Sequence, residues 1–285
     1  MLDKKYGKKF KQLRKQKNFS LDMASDGITS KSSLYYWEKG QKNMAIDKVL
    51  AMLERMHIKY DEFATDENHF YIDIEDVKTA YQDNDNHKLK QIAVNSISLF
   101  NHNPYIKKNL IKAAIACNFL KDSTEEILLS SKNQAYLQEL LSEITEWNYE
   151  DVFIFGNTLS LLPAKRTYGL TKLLLNKIIN NCATESTKWN HSALNTVINA
   201  SFSLIDDVYY FKKTICKLDD LKLDDSFAYE KIRLVFVFEL GKYIETNDAS
   251  AIEEKFFPCL DYLGYNQLSQ GMKQTFYKLR TSRHK

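Results

Sequence analysis

Apolar residues recur at intervals of three and four along most of the chain, which is the spacing of amphipathic helices. In the first 66 residues this pattern predicts five short helices, beginning with residues 6–17. Ser20 and Ser30 stand as N-caps of the second and third helices, and Gly40 stands at the C′ position that ends the third. The fourth helix covers residues 45–56 and is expected to turn five apolar side chains inward: Ile46, Val49, Leu50, Leu53 and Met56. Two short helices joined by a tight turn in such a bundle form a helix-turn-helix pattern.

The chain from residue 88 to residue 280 predicts a further series of helices. The expected spans are 88–100, 104–120, 124–143, 146–162, 164–181, 188–204, 206–217, 226–245, 249–263 and 266–280. Pro104 and Pro163 stand at positions expected for the first residue of a helix. The segments 147–162, 185–200 and 223–238 align at a spacing of 38 residues, and each precedes a second helical segment. We therefore expect an α-solenoid of TPR-like helix pairs, with a compact all-α bundle as the alternative.

Composition agrees with an all-α fold, because glycine and proline are scarce. The chain has 8 Gly and 3 Pro, so these two residue types make up 11 of 285 residues, or about 4%. In an average protein they make up roughly 12%. Sheet-rich folds need them for their many tight turns. The fold expected is all-α, with an N-terminal five-helix helix-turn-helix bundle followed by the TPR-like solenoid.

Charge is distributed unevenly along the chain. Residues 1–42 contain eleven Lys or Arg and four acidic residues, so this stretch carries +7, and the remaining residues carry −4 (29 − 33). A basic N-terminal module favours nucleic-acid binding, although a solvated basic face would give the same numbers. Residues 60–86 are strongly acidic and indicate a junction. The domains expected are 1–66 (DNA binding), 67–87 (an acidic linker or first helix) and 88–285 (TPR-like repeats).

The helix-turn-helix stretch resembles the phage-repressor-like (Xre) family. The matching residues are Arg14, Ser20, Met23, Ala24, Ser30, Lys31, Ser32, Ser33, Leu34, Trp37, Glu38 and Gly40. The resemblance implies that Arg14 on the first helix pairs with Glu38 at the end of the third. It also implies that the third helix enters the major groove with Lys31, Ser32 and Tyr36 at base-reading positions. The rest of the expected DNA-binding face is Ser20, Ser30, Ser33, Tyr35, Lys39, Lys42 and Asn43, chiefly at phosphates.

The repeat register places polar residues at equivalent positions. Asn157, Asn195 and Arg233 lie 38 residues apart, and Asn199 lies one turn beyond Asn195. Asn amides carry a donor and an acceptor and suit the backbone of an extended peptide, while an Arg suits a terminal carboxylate or an acidic side chain. The apolar residues expected near this ladder are Phe153, Ile198, Phe202, Tyr229 and Phe236. The alternative is that these polar groups form helix–helix hydrogen bonds in a core or are solvated.

The segment around Trp147, Tyr149-Glu150 and Phe155-Gly156-Asn157 resembles the C-terminal domain of the Rgg/GadR/MutR regulators of Gram-positive bacteria. This resemblance implies a cytoplasmic, homodimeric transcriptional regulator that binds a pseudo-palindromic operator and a short hydrophobic signalling peptide in quorum sensing. Some members carry a cysteine in or near the head that links a dimer, but this head has none, so that disulfide is not expected.

The terminal helices are the expected dimer contact. They carry Phe256, Phe257, Leu260, Leu263, Leu268, Phe276 and Leu279. Packing within the core of the same chain explains these residues equally well.

Patterns typical of enzymes and membrane proteins are missing from the sequence. The six histidines form no HExxH set, and neither GxSxG nor GxxxxGK[ST] occurs, so we expect no enzyme activity, cofactor or metal site. Cys117, Cys182, Cys216 and Cys259 are expected to be buried in a reducing cytosol. The longest strongly apolar run, 234–238, is far shorter than the roughly 20 residues that span a membrane.

Two other functions remain open from the sequence. One is a TPR-like protein–protein adaptor whose basic head does not bind DNA specifically. The other is a dimeric repressor without a ligand, whose solenoid only dimerises.

Overall fold

The computed structural model describes residues 3–64, 74–181 and 185–283. These residues form sixteen α-helices and no β-strand, which confirms the all-α prediction. The helices fall into two compact units, Met1–Tyr71 and Ile72–Lys285, here called the head and the body. No helix among the described residues is long and apolar enough to cross a membrane.

The described residues of the head form five helices. They are α1 (Asp3–Gln16), α2 (Leu21–Ser25), α3 (Lys31–Glu38), α4 (Ile46–Arg55) and α5 (Tyr60–Phe63). Phe10, Leu34, Trp37, Met52 and Phe63 are almost fully buried and form the centre of the core. The tight turn between α2 and α3 contains Gly27 at a φ of 65°, a left-handed conformation that costs glycine little.

One expected detail of the head is wrong. Ile46 and Leu50 on α4 are 60% and 44% exposed, whereas Val49, Leu53 and Met56 are buried as expected. The buried stripe of α4 is therefore narrower than its apolar stripe, because five apolar residues extend further around the helix than the small core can cover.

Eleven helices lie in the part of the body that the structure describes. They are α6 (Glu75–Gln82), α7 (Asn86–His102), α8 (Lys107–Thr124), α9 (Ser131–Ser142), α10 (Tyr149–Gly156), α11 (Ala164–Asn181), α12 (Thr187–Ser203), α13 (Val208–Leu218), α14 (Ala228–Thr246), α15 (Phe257–Tyr262) and α16 (Asn266–Arg283). A π-helical stretch, Ala251–Phe256, leads directly into α15. The repeat units of the sequence correspond to α10 with α11, α12 with α13, and α14 with the α15 segment, and consecutive units share one hydrophobic core.

Both expectations for proline were wrong in detail. α8 begins at Lys107, three residues beyond Pro104, and its N-cap Ile106 makes no side-chain hydrogen bond. Pro163 precedes the first residue of α11 and accepts hydrogen bonds at its carbonyl from the backbone of Arg166 and Thr167. It therefore fills the N-cap position, where a residue without an N–H loses nothing.

Close packing holds α10 against α12. Gly156 ends α10, and a Cβ atom built there would lie 2.6 Å from Thr196 Oγ1 on α12. The Trp189 indole on α12 donates a hydrogen bond to the carbonyl of Trp147, at a distance of 3.0 Å. These contacts fix α12, the helix that carries two members of the expected asparagine ladder.

The terminal helices pack mainly within their own chain. Phe257, Leu260, Phe276 and Leu279 are at most 5% exposed and belong to the core of the body, whereas Leu263 is 56% exposed. Most of the residues expected at a dimer contact are therefore core residues.

The expectation of uniformly buried cysteines was also wrong. Cys117 is buried, but Cys216 and Cys259 are exposed, and Cys182 lies outside the described residues. Within the described residues, no cluster of His, Cys, Asp and Glu side chains is suited to hold a metal ion.

Candidate functional site

The outer face of α3 presents the residues expected to contact DNA. Lys31, Ser32, Tyr35 and Tyr36 are exposed, and Ser33 is half-buried. The Lys39 Nζ lies 4.4 Å from the centre of the Tyr35 ring. The Lys42 Nζ lies 5.4 Å from the Tyr36 ring, and Lys39, Lys42 and Asn43 are themselves exposed. The face therefore combines cationic and aromatic groups, which suits contact with phosphates and base edges.

The serine hydroxyls of this face already serve as helix caps. Ser20 Oγ accepts a hydrogen bond from the backbone N–H of Met23 at 3.0 Å, and Ser30 Oγ accepts one from that of Ser33 at 3.1 Å. The Ser30 hydroxyl in turn donates to Ser33 Oγ at 2.8 Å. Any DNA contact through Ser20, Ser30 or Ser33 must therefore be made alongside these hydrogen bonds. The exposed Ser32 has its Oγ 3.2 Å from that of Ser30.

Lys31 has a partner within the head. Its Nζ lies 2.6 Å from Asp22 Oδ2, and the two side chains are 58% and 65% exposed. An ion pair this exposed contributes little to stability and is screened by salt. Lys31 can therefore exchange Asp22 for a DNA group at small cost.

The structure pairs Arg14 with Glu38. Arg14 Nε donates to Glu38 Oε1 at 2.6 Å and Arg14 Nη2 donates to Oε2 at 2.9 Å. Arg14 Nη1 also donates to the carbonyl of Phe19 at 2.6 Å. Both charged residues are 6% exposed, so this bidentate pair connects α1 to the end of α3 and fixes the orientation of α3.

A cavity of about 1090 Å³ lies in the body. It is lined by residues of α6, α12, α14 and α16 and by the loop before α16: Tyr81, Gln82, Asn199, Phe202, Tyr229, Arg233, Phe236, Gly264, Tyr265, Asn266, Gln267, Leu268, Gly271, Met272 and Thr275. Its wall mixes aromatic and aliphatic side chains with amide groups and one guanidinium. Such a cavity suits a ligand with apolar side chains and a polar backbone.

A polar network stands at the wall of this cavity. Arg233 donates from Nη1 to Asn195 Oδ1 and from Nη2 to Asn199 Oδ1. Asn195 Nδ2 donates to Glu230 Oε1 at 2.7 Å and to the carbonyl of His191 at 2.8 Å. His191 Nδ1 also lies 3.0 Å from Glu230 Oε1. A chain of hydrogen bonds therefore runs from the buried carboxylate of Glu230 through Asn195 to Arg233 at the cavity wall.

Burial shapes the electrostatics of this network. Glu230 is 2% exposed, and its Oε2 has no hydrogen-bond partner among the described residues. Burial lowers the pKa of the Arg233 guanidinium below its usual range, while the nearby Tyr229 and Glu230 act in the opposite direction. Arg233 stays charged, because no protein environment deprotonates a guanidinium at neutral pH.

The structure brings together some of the residues expected to bind peptide and separates others. Five line the cavity: Asn199, Phe202, Tyr229, Arg233 and Phe236. Asn195 lies behind Arg233. Asn157 and Phe153 do not line the cavity, and the Asn157 amide donates to the carbonyl of Phe153 at 2.7 Å within its own helix. Ile198 was placed wrongly, because it does not line the cavity and is fully buried in the core.

The sequence pattern missed two parts of the site. One is the wall formed by α6 and α16, which lie outside the 38-residue register. The other is Glu230, whose burial on a helix is invisible in the sequence. The one indication in the sequence is that Glu230 stands three residues before Arg233, which places the two on nearly the same helical face.

Comparison with known proteins agrees with the sequence resemblance. Residues 87–274 match the family model of the C-terminal domain of the HTH-type transcriptional regulator Rgg. The SHP pheromone receptor Rgg2 of Streptococcus dysgalactiae has a similar structure, with a TM-score of 0.75, 20% identity, and coverage of 96% of this chain and 99% of that one.

Two further solved structures share the fold. A candidate transcriptional regulator from Listeria monocytogenes EGD-e matches with a TM-score of 0.74 and 16% identity over 99% of both chains. PrgX in its complex with cCF10 matches with a TM-score of 0.70 and 13% identity, over 97% of this chain and 92% of that one. Since the family model covers more than half of its length, this chain belongs to the Rgg family of HTH-type transcriptional regulators.

Proposed function

We propose that this protein is a sequence-specific DNA-binding transcriptional regulator whose body binds a short hydrophobic signalling peptide and thereby changes promoter regulation. The observation that carries the proposal is the cavity of about 1090 Å³, which combines five aromatic residues with Arg233 and several amides in a chain of the Rgg family. Its volume is slightly above the roughly 300–1,000 Å³ typical of small-molecule pockets, which favours a short peptide.

Two structural relatives support a peptide ligand. One is an SHP pheromone receptor, and another is a bacterial peptide pheromone–receptor complex that regulates genes. In this chain the equivalent role falls to the cavity between α12, α14 and α16. Its apolar wall packs against ligand side chains and its amides bind the ligand backbone, which is the behaviour expected of a receptor in quorum sensing.

The head supports binding to double-stranded DNA. Lys31, Ser32 and Tyr36 are exposed on α3 at the positions expected to read bases, and the lysines around them suit phosphates. One such head contacts too few base pairs to discriminate an operator in a genome. We therefore propose a homodimer that binds a pseudo-palindromic operator.

Regulation requires the peptide to distinguish two states of this dimer. A ligand shifts an equilibrium only by its difference in affinity for the two states. The peptide therefore changes the affinity for DNA by the same factor by which DNA changes the affinity for the peptide. This reciprocity is measurable in either direction.

The test is fluorescence anisotropy of the full chain with a labelled promoter fragment from the DNA adjoining its coding sequence, over a salt series. Lys31→Gln should reduce the preference for this fragment over random DNA by about 1–3 kcal/mol. Lys42→Gln should weaken binding to both DNAs alike and lower the salt slope by about one. Lys278→Gln removes the same charge from an exposed position in the body and should change neither.

The outcomes separate the proposal from its alternatives. Binding that neither depends on salt nor prefers the promoter would refute a DNA-binding regulator and favour a protein–protein adaptor. Specific binding that no short hydrophobic peptide encoded nearby alters would favour a repressor without a ligand.

A further inference from the structure

Arg233 is a half-buried cation whose side-chain hydrogen bonds go to neutral amides, while the Glu230 carboxylate acts on it from behind Asn195. Its guanidinium is half-buried at the cavity wall, with its Cζ 5.8 Å from the centre of the Phe202 ring and 5.7 Å from that of Tyr229. Its hydrogen bonds go to the neutral amide oxygens of Asn195 and Asn199. Within the described residues no carboxylate forms an ion pair with it.

The network holds Arg233 in one orientation. Asn195 Nδ2 donates to Glu230 and to the carbonyl of His191, so its Oδ1 must face Arg233. Glu230 is thus a positioning residue, since it orients Asn195 and Asn195 orients the guanidinium. The two amides use one N–H of each terminal nitrogen, and a guanidinium has five, so three donors remain for another acceptor.

Charge and burial together indicate which acceptor is missing. Buried charges in proteins are normally paired, because taking an ion out of water without a counter-ion is costly. The two aromatic rings and two amides around Arg233 supply contact, and the Glu230 carboxylate acts on it only across Asn195, so no carboxylate among the described residues accepts a hydrogen bond from the guanidinium. An anionic group that enters the cavity would pair with the Arg233 guanidinium and accept hydrogen bonds from its planar, already oriented N–H groups.

We propose that Arg233 binds a carboxylate of the ligand, so that the cavity takes a short apolar peptide with its carboxylate at Arg233 and apolar side chains against Phe202, Tyr229 and Leu268. This inference rests on the proposed peptide-receptor function. The carboxylate has two possible sources, the C-terminus of the peptide and an Asp or Glu side chain, and the experiment distinguishes them.

The experiment uses a pool of synthetic octapeptides rich in Leu, Ile, Val and Phe, each prepared in three matched forms. The forms are a free C-terminal acid, a C-terminal amide, and an amide with one internal Glu. The full chain is incubated with the pool, separated from unbound peptide by size, and the retained peptides are counted by mass spectrometry. A carboxylate-bearing form should be retained at least about tenfold over the plain amide, since hydrogen bonds to charged groups are strong. The form that is enriched identifies the source.

Variants assign the effect to Arg233. Arg233→Gln should retain peptides without preference for a carboxylate, and Arg233→Lys should keep part of the preference while losing the fork geometry. Lys231→Gln is the matched control, because it removes one positive charge from the same helix at a residue paired with Asp225 and outside the cavity. Glu230→Gln keeps an acceptor for Asn195 and removes a negative charge near Arg233. The preference of this variant for peptides with a carboxylate should therefore be at least as strong as that of the unmodified protein. Circular dichroism checks that each variant is folded.

Three results would overturn the inference. Equal retention of all three forms by the unmodified protein shows that no carboxylate is recognised. An unchanged preference in folded Arg233→Gln and Arg233→Lys places the recognition elsewhere. Retention of no peptide in any form refutes the peptide-receptor function and the inference with it, and so differs from the first result.

Discussion

The close approach of α10 to α12 allows a sharp test of how this fold is held together. Gly156 is the last residue of α10, and a Cβ there would lie 2.6 Å from Thr196 Oγ1 and 3.4 Å from Thr196 Cγ2. Thr196 is 5% exposed, and rotation about its χ1 exchanges the hydroxyl for the methyl group at the same place. Gly156→Ala must therefore move one helix or force Thr196 away from its rotamer.

The magnitude follows from these contacts. Overpacking a filled core costs about 1–3 kcal/mol, and the better helix propensity of alanine offsets at most about 1 kcal/mol of it. The body extends over 214 residues (285 − 72 + 1). For a domain of this size, each kcal/mol shifts Tm by roughly 2–4 °C, so a net loss of about 1–2 kcal/mol should lower Tm by roughly 2–8 °C.

Thermal unfolding followed by circular dichroism tests this, with Gly169→Ala on α11 as the matched control. A Cβ at Gly169 meets nothing within 4 Å, so that variant should be as stable as the parent or more stable by about 0.5–1 kcal/mol. Thr196→Ala removes both clashing atoms, and the double variant should recover most of the loss, with a coupling energy of about 0.5–3 kcal/mol. If Gly156→Ala and Gly169→Ala behave alike, or if the two sites are additive, the packing account is wrong.

Three further predictions concern other parts of the molecule. Glu38→Gln leaves Arg14 buried without its counter-charge and should lower the free energy of unfolding of the head in denaturant by about 3 kcal/mol or more; an unchanged midpoint would contradict this. Gly271→Leu fills open cavity space, so retention of hydrophobic octapeptides should fall while Tm holds or rises; undiminished retention would place the peptide elsewhere. Burial raises the pKa of the Cys117 thiol to about 12, so at pH 8 it stays protonated and iodoacetamide should label exposed Cys216 first, as mass spectrometry would show; early labelling of Cys117 would contradict its burial.

Local patterns were enough to predict the helices and the helix-turn-helix. The caps at Ser20 and Ser30 depend on a few neighbouring residues, and the structure shows both hydrogen bonds. The misplacement of Ile198 has a different origin, because a 38-residue register fixes which residues are equivalent but not how each helix is rotated. In α12 that rotation is set by long-range contacts such as Gly156 with Thr196, and it turns Ile198 into the core and Phe202 toward the cavity.

The same reasoning explains why α16 was missed as a wall of the site. Its residues belong to no repeat, and nothing in the local sequence states which helix lies across the cavity from α14. Gly271 is the residue of α16 that could have indicated the site from the sequence. A glycine inside a helix lowers stability by roughly 0.5–1 kcal/mol relative to alanine, so its presence there calls for a reason. In the structure no packing contact requires it, and it lines the cavity.

The repeat spacing also explains why the asparagine ladder does not stand open. Equivalent positions of successive repeats are neighbours in a solenoid, so residues 38 apart are near enough to bond to each other, as Asn195 and Arg233 do. A ladder that contains both amides and a guanidinium therefore satisfies its amide oxygens in the absence of ligand. In the proposed complex the carboxylate accepts hydrogen bonds from the guanidinium N–H groups that Asn195 and Asn199 leave free, so both amides continue to hold Arg233 in place. Loss of Arg233 would remove the carboxylate site and also leave the two amide oxygens without their donor, so carboxylate recognition and the orientation of the amides are coupled through one side chain.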